Sequence, residues 1–163
     1  MKRTLTLIRH AKSDWGHPEL SDFDRPLNER GMGDAPRMGE ALNERRINFN
    51  LVIASTAKRA ITTARAICTV VGYPEERIEE NRDLYLASAG AMLDIIHGVD
   101  ESIQHLAIVT HNPGITSLAN ALGDRQIDNV PTCGVVMLET ESEWQFLKPK
   151  ECTTLDFFYP KGI

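Results

Sequence analysis

An α/β chain with a largely parallel sheet, sandwiched between helices on both faces, is what the sequence predicts, and three observations carry that expectation. Short apolar runs at 4–8, 51–54 and 106–110 read as buried strands, and stretches with helical spacing of apolar residues alternate with them. The 163 residues suit a single domain spanning 1–163, and 42% hydrophobic with 25% charged residues is an ordinary globular mixture rather than a disordered one.

The elements follow in order. The first run, 4–8, is rich in Thr, Leu and Ile and ends at Arg9-His10. Polar residues with Pro18 and Pro26 make 12–28 an irregular loop, of a length that is often functional. Met38, Ala41, Leu42 and Arg45 then define a helix over 29–46, although Gly31, Gly33 and Pro36 weaken its start. After the second strand, Ser55 or Thr56 is the expected N-cap of a helix over 58–71, which Gly72 and Pro74 stop. Residues 77–86 read as extended, and 88–98 as a helix with Met92, Ile95 and Ile96 turned inward. His111 closes the third strand, and Asn112 as N-cap with Pro113 at the first helical position opens a helix to about 122. Strands at 134–139 and 153–158 complete the chain, in which Met38, Met92 and Met137 are core candidates and Trp15 and Trp144 packing or rim aromatics.

Composition narrows the function. Eighteen basic against 23 acidic residues leave a net charge of −5, which argues against general affinity for nucleic acid or anionic membranes. Cys68, Cys133 and Cys152 form neither a disulfide framework nor a zinc motif. The N-terminal apolar stretch is broken by Thr6, falling short of the ~7–15 residues of a secretory core, and no run reaches the ~20 of a membrane span. A cytoplasmic protein is expected.

Any anion site in this acidic chain must be local, and the strand ends suggest one. Arg9 and His10 follow the first strand, Arg59 the second and His111 the third. Ligands of such folds bind beyond the carboxyl ends of the strands, so these side chains are expected on one rim. Guanidinium forks match phosphate oxygens, and the helix opening at Pro113 adds free N–H groups. A histidine closing a strand is more often a structural hydrogen-bonder, and arginines in settings such as Lys58-Arg59 or Asn28-Glu29-Arg30 usually lie on solvated faces. It is the recurrence at equivalent places that favours an anion. His10, Asp14 and His17 also form an H-x3-D-x2-H pattern open to a metal, which adjacent Arg9 opposes. Neither a dinucleotide fingerprint, nor a P-loop, nor G-x-S-x-G occurs.

Leu7-Ile8-Arg9-His10-Ala11 resembles the Arg-His-Gly signature of the histidine phosphatase superfamily, the phosphoglycerate mutase-like proteins. Residues 54–64 resemble that family's second phosphate-binding motif, and Val109-Thr110-His111-Asn112 its second-histidine motif. Phe23-Asp24-Arg25-Pro26-Leu27-Asn28-Glu29-Arg30-Gly31 looks most like the SixA-type branch, and the resemblance spans about 5–122. It implies a three-layer α/β/α sandwich with a mostly parallel mixed sheet. It further implies His10 as a nucleophile that is transiently phosphorylated, with Arg9, Arg25, Arg59 and His111 holding phosphoryl oxygens. No metal or cofactor is required if arginines neutralise the transferring group.

Ala11 departs from the signature glycine, Gly16 stands where many members carry an asparagine, and Leu86 where many carry a glutamate acid. The proton donor is thereby unassigned, Asp83 being the candidate that stretch offers. Because a P–N bond is labile, the missing acid favours phosphohistidine over an alkyl ester. The 52 residues from Arg59 to His111 are filled by ordinary elements, so no inserted cap is expected over the site. The expected partner is a phosphorylated protein carrying phosphohistidine. A small-molecule phosphomonoesterase and a non-catalytic phosphate-binding module are the alternatives.

Overall fold

A computed structural model describes residues 1–163. Strands β1 (Arg3–Arg9), β2 (Leu51–Ala54), β3 (Glu79–Glu80), β4 (His105–Thr110), β5 (Val135–Thr140) and β6 (Thr153–Phe158) form one sheet ordered β3-β2-β4-β1-β5-β6. β1, β2, β3 and β4 pair in parallel, whereas β5 runs antiparallel to both β1 and β6. The sheet is therefore mixed, with β5 alone reversed.

Side chains alternate along a strand, and the central strands use both faces. Leu5 and Leu7 of β1, Leu106 and Ile108 of β4, and Val136 and Leu138 of β5 belong to one apolar cluster, with Met92, Ile96, Ile115, Leu118 and Trp144. Ile8, Ala107, Val109, Val135 and Met137 belong to a second cluster with Met38, Leu42, Ile61, Ala64 and Ile67. Helices α1 (Glu29–Glu44) and α2 (Lys58–Val71) cover the second face, and α3 (Ala89–His97) and α4 (Gly114–Leu122) the first. That is a three-layer α/β/α sandwich. A strand buried on both faces must be apolar at nearly every position, which is why the central strands read as nearly continuous apolar runs, interrupted in β1 by Thr6, whose hydroxyl lies 2.7 Å from His105 Nε2.

The start of α1 resolves the conflict set by its glycines and proline. Asn28 caps the helix, its side-chain oxygen accepting from Gly31 N–H at 2.8 Å. A Cβ on Gly31 would fall 2.2 Å from the Lys12 carbonyl oxygen, so glycine there is what lets the helix abut the segment leaving β1. The intervening loop carries a bridge between Ser13 and Leu27 and a 3-10 turn, Asp22–Asp24.

Three expectations need correction. Residues 77–86 are extended only at Glu79–Glu80, because 3-10 turns at Glu75–Arg77 and Arg82–Leu84 flank them and the Asn81 side chain caps the second by accepting from Asp83 N–H. Ala57, not Ser55 or Thr56, is the N-cap of α2, and no side chain caps it. Asn112 is displaced from the cap of α4 by Pro113, its Oδ1 instead accepting from Thr116 Oγ1 at 2.6 Å. Trp144 is fully buried with its indole N–H on the Ile103 carbonyl at 2.8 Å, and Trp15 is 72% exposed.

Candidate active site

The carboxyl ends of β1, β2 and β4 converge, and the basic residues that follow them meet there. His10 sits beyond β1 with its N–H on the Thr110 carbonyl and its carbonyl accepting from Cys133 N–H. Ala11 N–H donates to Thr63 Oγ1 at 2.9 Å, and that hydroxyl donates to the Arg59 carbonyl at 2.7 Å. This ties the end of β1 to the first turns of α2. Ala11 is fully buried, and its methyl group fits where a glycine was expected.

The hydrogen bonds fix the state of His10. Its Nδ1 lies 2.7 Å from the Ala11 carbonyl, which can only accept, so Nδ1 carries the proton. Nε2 is left with a lone pair, and Arg59 Nε donates to it at 3.3 Å. Burial, opposed by the Ala11 hydrogen bond and reinforced by His111, Arg59 and Arg9, lowers the imidazole pKa to about 3. The ring is neutral at physiological pH.

His111 lies beside it, ring centroids 5.2 Å apart, with Nε2 2.7 Å from Ser55 Oγ. That contact is where the Ser55 side chain went instead of capping α2. Burial, followed by the charge of Arg59, lowers the His111 pKa to about 4. Arg9 donates from Nη1 to the Val130 carbonyl at 3.0 Å, and burial and Arg59 lower its pKa. Arg9 Nε and His111 Nδ1 are buried without a hydrogen-bond partner. Such groups cost free energy until a partner meets them, and a tetrahedral oxyanion would accept from Arg9 Nε and, where Ser55 Oγ donates to His111 Nε2 and leaves the ring proton on Nδ1, from His111 as well.

Arg25 reaches the cluster through Asp22, a residue not singled out in the sequence. Arg25 Nε and Nη2 hold Asp22 Oδ1 at 3.1 and 3.0 Å, and Nη1 donates to Ser13 Oγ at 2.6 Å. Arg59 Nη2 holds Asp22 Oδ2 at 3.0 Å and Nη1 the Asp22 carbonyl at 2.6 Å, so all three of its guanidinium nitrogens are engaged. Tyr85 donates its hydroxyl proton to Asp22 Oδ2 at 2.5 Å. Partial burial pushes the Asp22 carboxyl up, but the hydrogen bonds from Tyr85, Arg59 and Arg25 prevail and hold it well below the ordinary carboxylate range. Arg25, Arg59 and Asp22 are thus one ion cluster beside His10. Only the D-x-x-R spacing of Asp22 and Arg25 could have suggested Asp22, and such a spacing says nothing about Arg59.

Other candidates fall outside. Asp83 is exposed on its 3-10 turn, and Leu86 is 58% exposed. His17 pairs with Asp14 and Glu19 at 3.3 and 3.4 Å rather than with His10, and among the described residues no group of three His, Cys, Asp or Glu side chains could hold a metal ion. Among the described residues no helix is long and apolar enough to cross a membrane.

Comparison with known proteins gives a consistent result. A family model described as histidine phosphatase superfamily (branch 1) matches residues 5–89. An uncharacterized protein of Mycobacterium tuberculosis is 29% identical over 165 residues, covering 94% of this chain and 100% of its own. A 2,3-bisphosphoglycerate-dependent phosphoglycerate mutase of Beijerinckia indica is 34% identical over 77 residues, 46% of this chain and 37% of that one. Among solved structures, one from Agrobacterium tumefaciens, provisionally described as the phosphohistidine phosphatase SixA, superposes with a TM-score of 0.82 at 27% identity, covering 97% of this chain and 98% of that one. A like-described SixA structure from Nakamurella reaches a TM-score of 0.83 at 22% identity, covering 98% and 97%.

Proposed function

The chain belongs to the histidine phosphatase superfamily, and from that premise we propose that it is a metal-independent phosphatase that removes phosphate from phosphohistidine on a protein, through a phosphorylated His10. The observation that carries this reading is the unprotonated Nε2 of His10, a neutral nucleophile whose lone pair meets only the Arg59 Nε–H, set among Arg9, Arg59 and His111. The lone pair attacks phosphorus while the surrounding donors, including the unpartnered Arg9 Nε and His111 Nδ1, take the oxygens whose charge develops. Arg59 takes up phosphoryl oxygens by exchanging Asp22 for them, one anion for another, and Arg25 holds that displaced carboxylate or a phosphoryl oxygen in its place. Water then attacks the phosphohistidine, which frees inorganic phosphate and restores His10.

Phosphohistidine is favoured by what stands around this centre. No carboxylic acid occupies the position of Leu86. Between α2 and β4 the chain forms β3, α3 and short turns, which supports a site without an inserted cap, one that would admit a side chain of another protein in the cytoplasm. Exposed apolar side chains adjoin the pocket residues, Trp15 on the Arg25 guanidinium and Leu86 next to Tyr85. Exposed apolar side chains of this kind suit contact with a protein surface.

Intact mass after brief exposure to phosphoramidate, quenched in base, tests the mechanism. A phosphate adduct that disappears in acid and is absent from His10→Ala is expected. Tight binding of phosphate without adduct or turnover would instead make the protein a phosphate-binding module. Preference for an alkyl phosphate over phosphoramidate would overturn the substrate class and leave a small-molecule phosphomonoesterase.

A further inference from the structure

The first step expels a basic atom, nitrogen or oxygen, and something must protonate it. No carboxyl group beside the pocket is suited to that task. Asp83 is exposed on its turn, Leu86 has no proton to give, and the Asp22 carboxylate is held ionised by two arginines.

One hydroxyl stands in the cluster. The ring of Tyr85 packs edge-on against both His111 and Phe23, with centroids 5.5 and 5.0 Å apart, and the Arg59 guanidinium lies 5.9 Å from its centroid. Its O–H reaches Asp22 Oδ2, the same oxygen that Arg59 Nη2 holds. Arg59 therefore has His10 Nε2 at one edge of its guanidinium and the Asp22–Tyr85 pair at the other. A phosphoryl group that takes the place of Asp22 on that guanidinium comes within reach of both the His10 lone pair and the Tyr85 hydroxyl, the two groups that attack and leaving-group protonation need.

The fold holds Tyr85 there firmly. It ends the Arg82–Leu84 turn, with its N–H on the Arg82 carbonyl at 2.9 Å, and Thr110 Oγ1 donates to the Leu84 carbonyl at 3.4 Å. Two residues on, the Ala87 carbonyl packs against Gly114, where a Cβ would approach it to 2.1 Å. Only glycine at the start of α4 lets this segment lie against the His111 loop.

We infer that Tyr85 is a catalytic residue that gives its phenolic proton to the leaving atom, an inference that rests on the two-step reading above. In the first step the His10 Nε2 lone pair forms the new P–N bond as the bond from phosphorus to the leaving group breaks. The released electron pair takes the Tyr85 proton, leaving a phenolate beside Arg59. In the second step water attacks phosphorus, its proton returns to the phenolate, and the electron pair of the His10 P–N bond returns to Nε2. Burial and the adjoining Asp22 raise the Tyr85 pKa above its ordinary value, so the phenol is fully protonated at neutral pH. A phenol is a weaker acid than a carboxyl group. It suits a leaving atom of high proton affinity whose bond to phosphorus is largely broken when the proton moves.

The test is leaving-group dependence. kcat/KM reports the first step and is measured for wild type and Tyr85→Phe with phosphate esters ranging from a nitrophenyl to an alkyl leaving group, and with a phosphoimidazole. The loss in Tyr85→Phe is expected to grow from about threefold with the nitrophenyl ester to about 10²-fold or more with the most basic leaving groups. The phosphate adduct on His10 still forms from the nitrophenyl ester. Phenylalanine keeps the ring packing, and an unchanged melting temperature verifies that. A loss of equal size for every substrate would reduce Tyr85 to positioning Asp22 and overturn this inference, while the covalent mechanism stands. A wild type that turns over none of the series overturns both.

Discussion

Two Arg-Asp-Arg clusters in this molecule have opposite construction. In the pocket the cations are buried, Arg59 and Arg25 with side chains 3% and 9% exposed, while the Asp22 side chain between them is 43% exposed. On α1 the anion is buried, Asp34 at 8%, and its partners Arg30 and Arg37 are each 50% exposed at 3.4 Å. A buried charge has to be paired continuously, whereas its exposed partner can leave for water or be exchanged. The α1 cluster fixes its carboxylate and lets the arginines go. The pocket fixes its arginines and lets the carboxylate go, so it can accept another anion.

The largest difference is expected between the arginines. Arg59→Ala should lower kcat/KM for phosphoramidate by about 10²–10³, as lost electrostatic donors do, while Arg37→Ala leaves it unchanged within error. Equal effects in steady-state assays would erase the distinction between the clusters.

Acid should separate the regions next. His10 and His111 have folded pKa values lowered to about 3 and about 4, below the unfolded value of about 6.5. Below about pH 6.5 the unfolded chain binds protons that the folded pocket does not, so each histidine removes up to about 1.4 kcal/mol of stability per pH unit until its folded pKa is reached. Above pH 6.5 these two groups contribute no slope. His105, lowered to about 4 by burial, adds to the effect from outside the pocket. Denaturation between pH 4 and 8 should show this decline, shallower in His111→Gln and unaltered in Arg30→Ala. The same neutrality predicts that kcat/KM carries no acid limb from His10 near pH 6.5.

Exchange of Asp22 is testable by itself. Asp22→Asn should strengthen competitive inhibition by inorganic phosphate about three- to tenfold, roughly 0.7–1.4 kcal/mol, because the Arg59 fork then lacks its competing carboxylate. Asp34→Asn should leave that inhibition alone and lower the melting temperature. Weaker inhibition in Asp22→Asn would mean that this carboxylate is fixed scaffold like Asp34. The smallest effect is expected from Trp15→Ala. It removes a ring 3.5 Å from the Arg25 guanidinium and should cost about 0.5–1 kcal/mol in denaturant unfolding.

Much of the frame was legible along the chain. The strands expected at 51–54 and 153–158 and the helix at 58–71 match β2, β6 and α2 residue for residue, since each is a contiguous stretch whose character the local sequence carries. The ends at 77–86 and before α2 were misread, because Asn81 and Ser55 have side chains that can satisfy local or distant partners equally well.

The sequence by itself determined that strands alternate with helices and that Arg9, His10, Arg59 and His111 each follow a strand. A parallel sheet brings such ends together, and apolar periodicity is a local property of the chain. Only the tertiary structure decided that Asp22 lies between Arg25 and Arg59, that Ser55 meets His111, and that Tyr85 stands over both. These pairs are separated by 37, 56 and 63 residues along the chain, with loops or turns at one end or both. Loop residues follow no period, so their partners are chosen by the packing of the elements around them, as when Gly114 admits the Ala87 carbonyl and thereby sets Tyr85 beside the pocket.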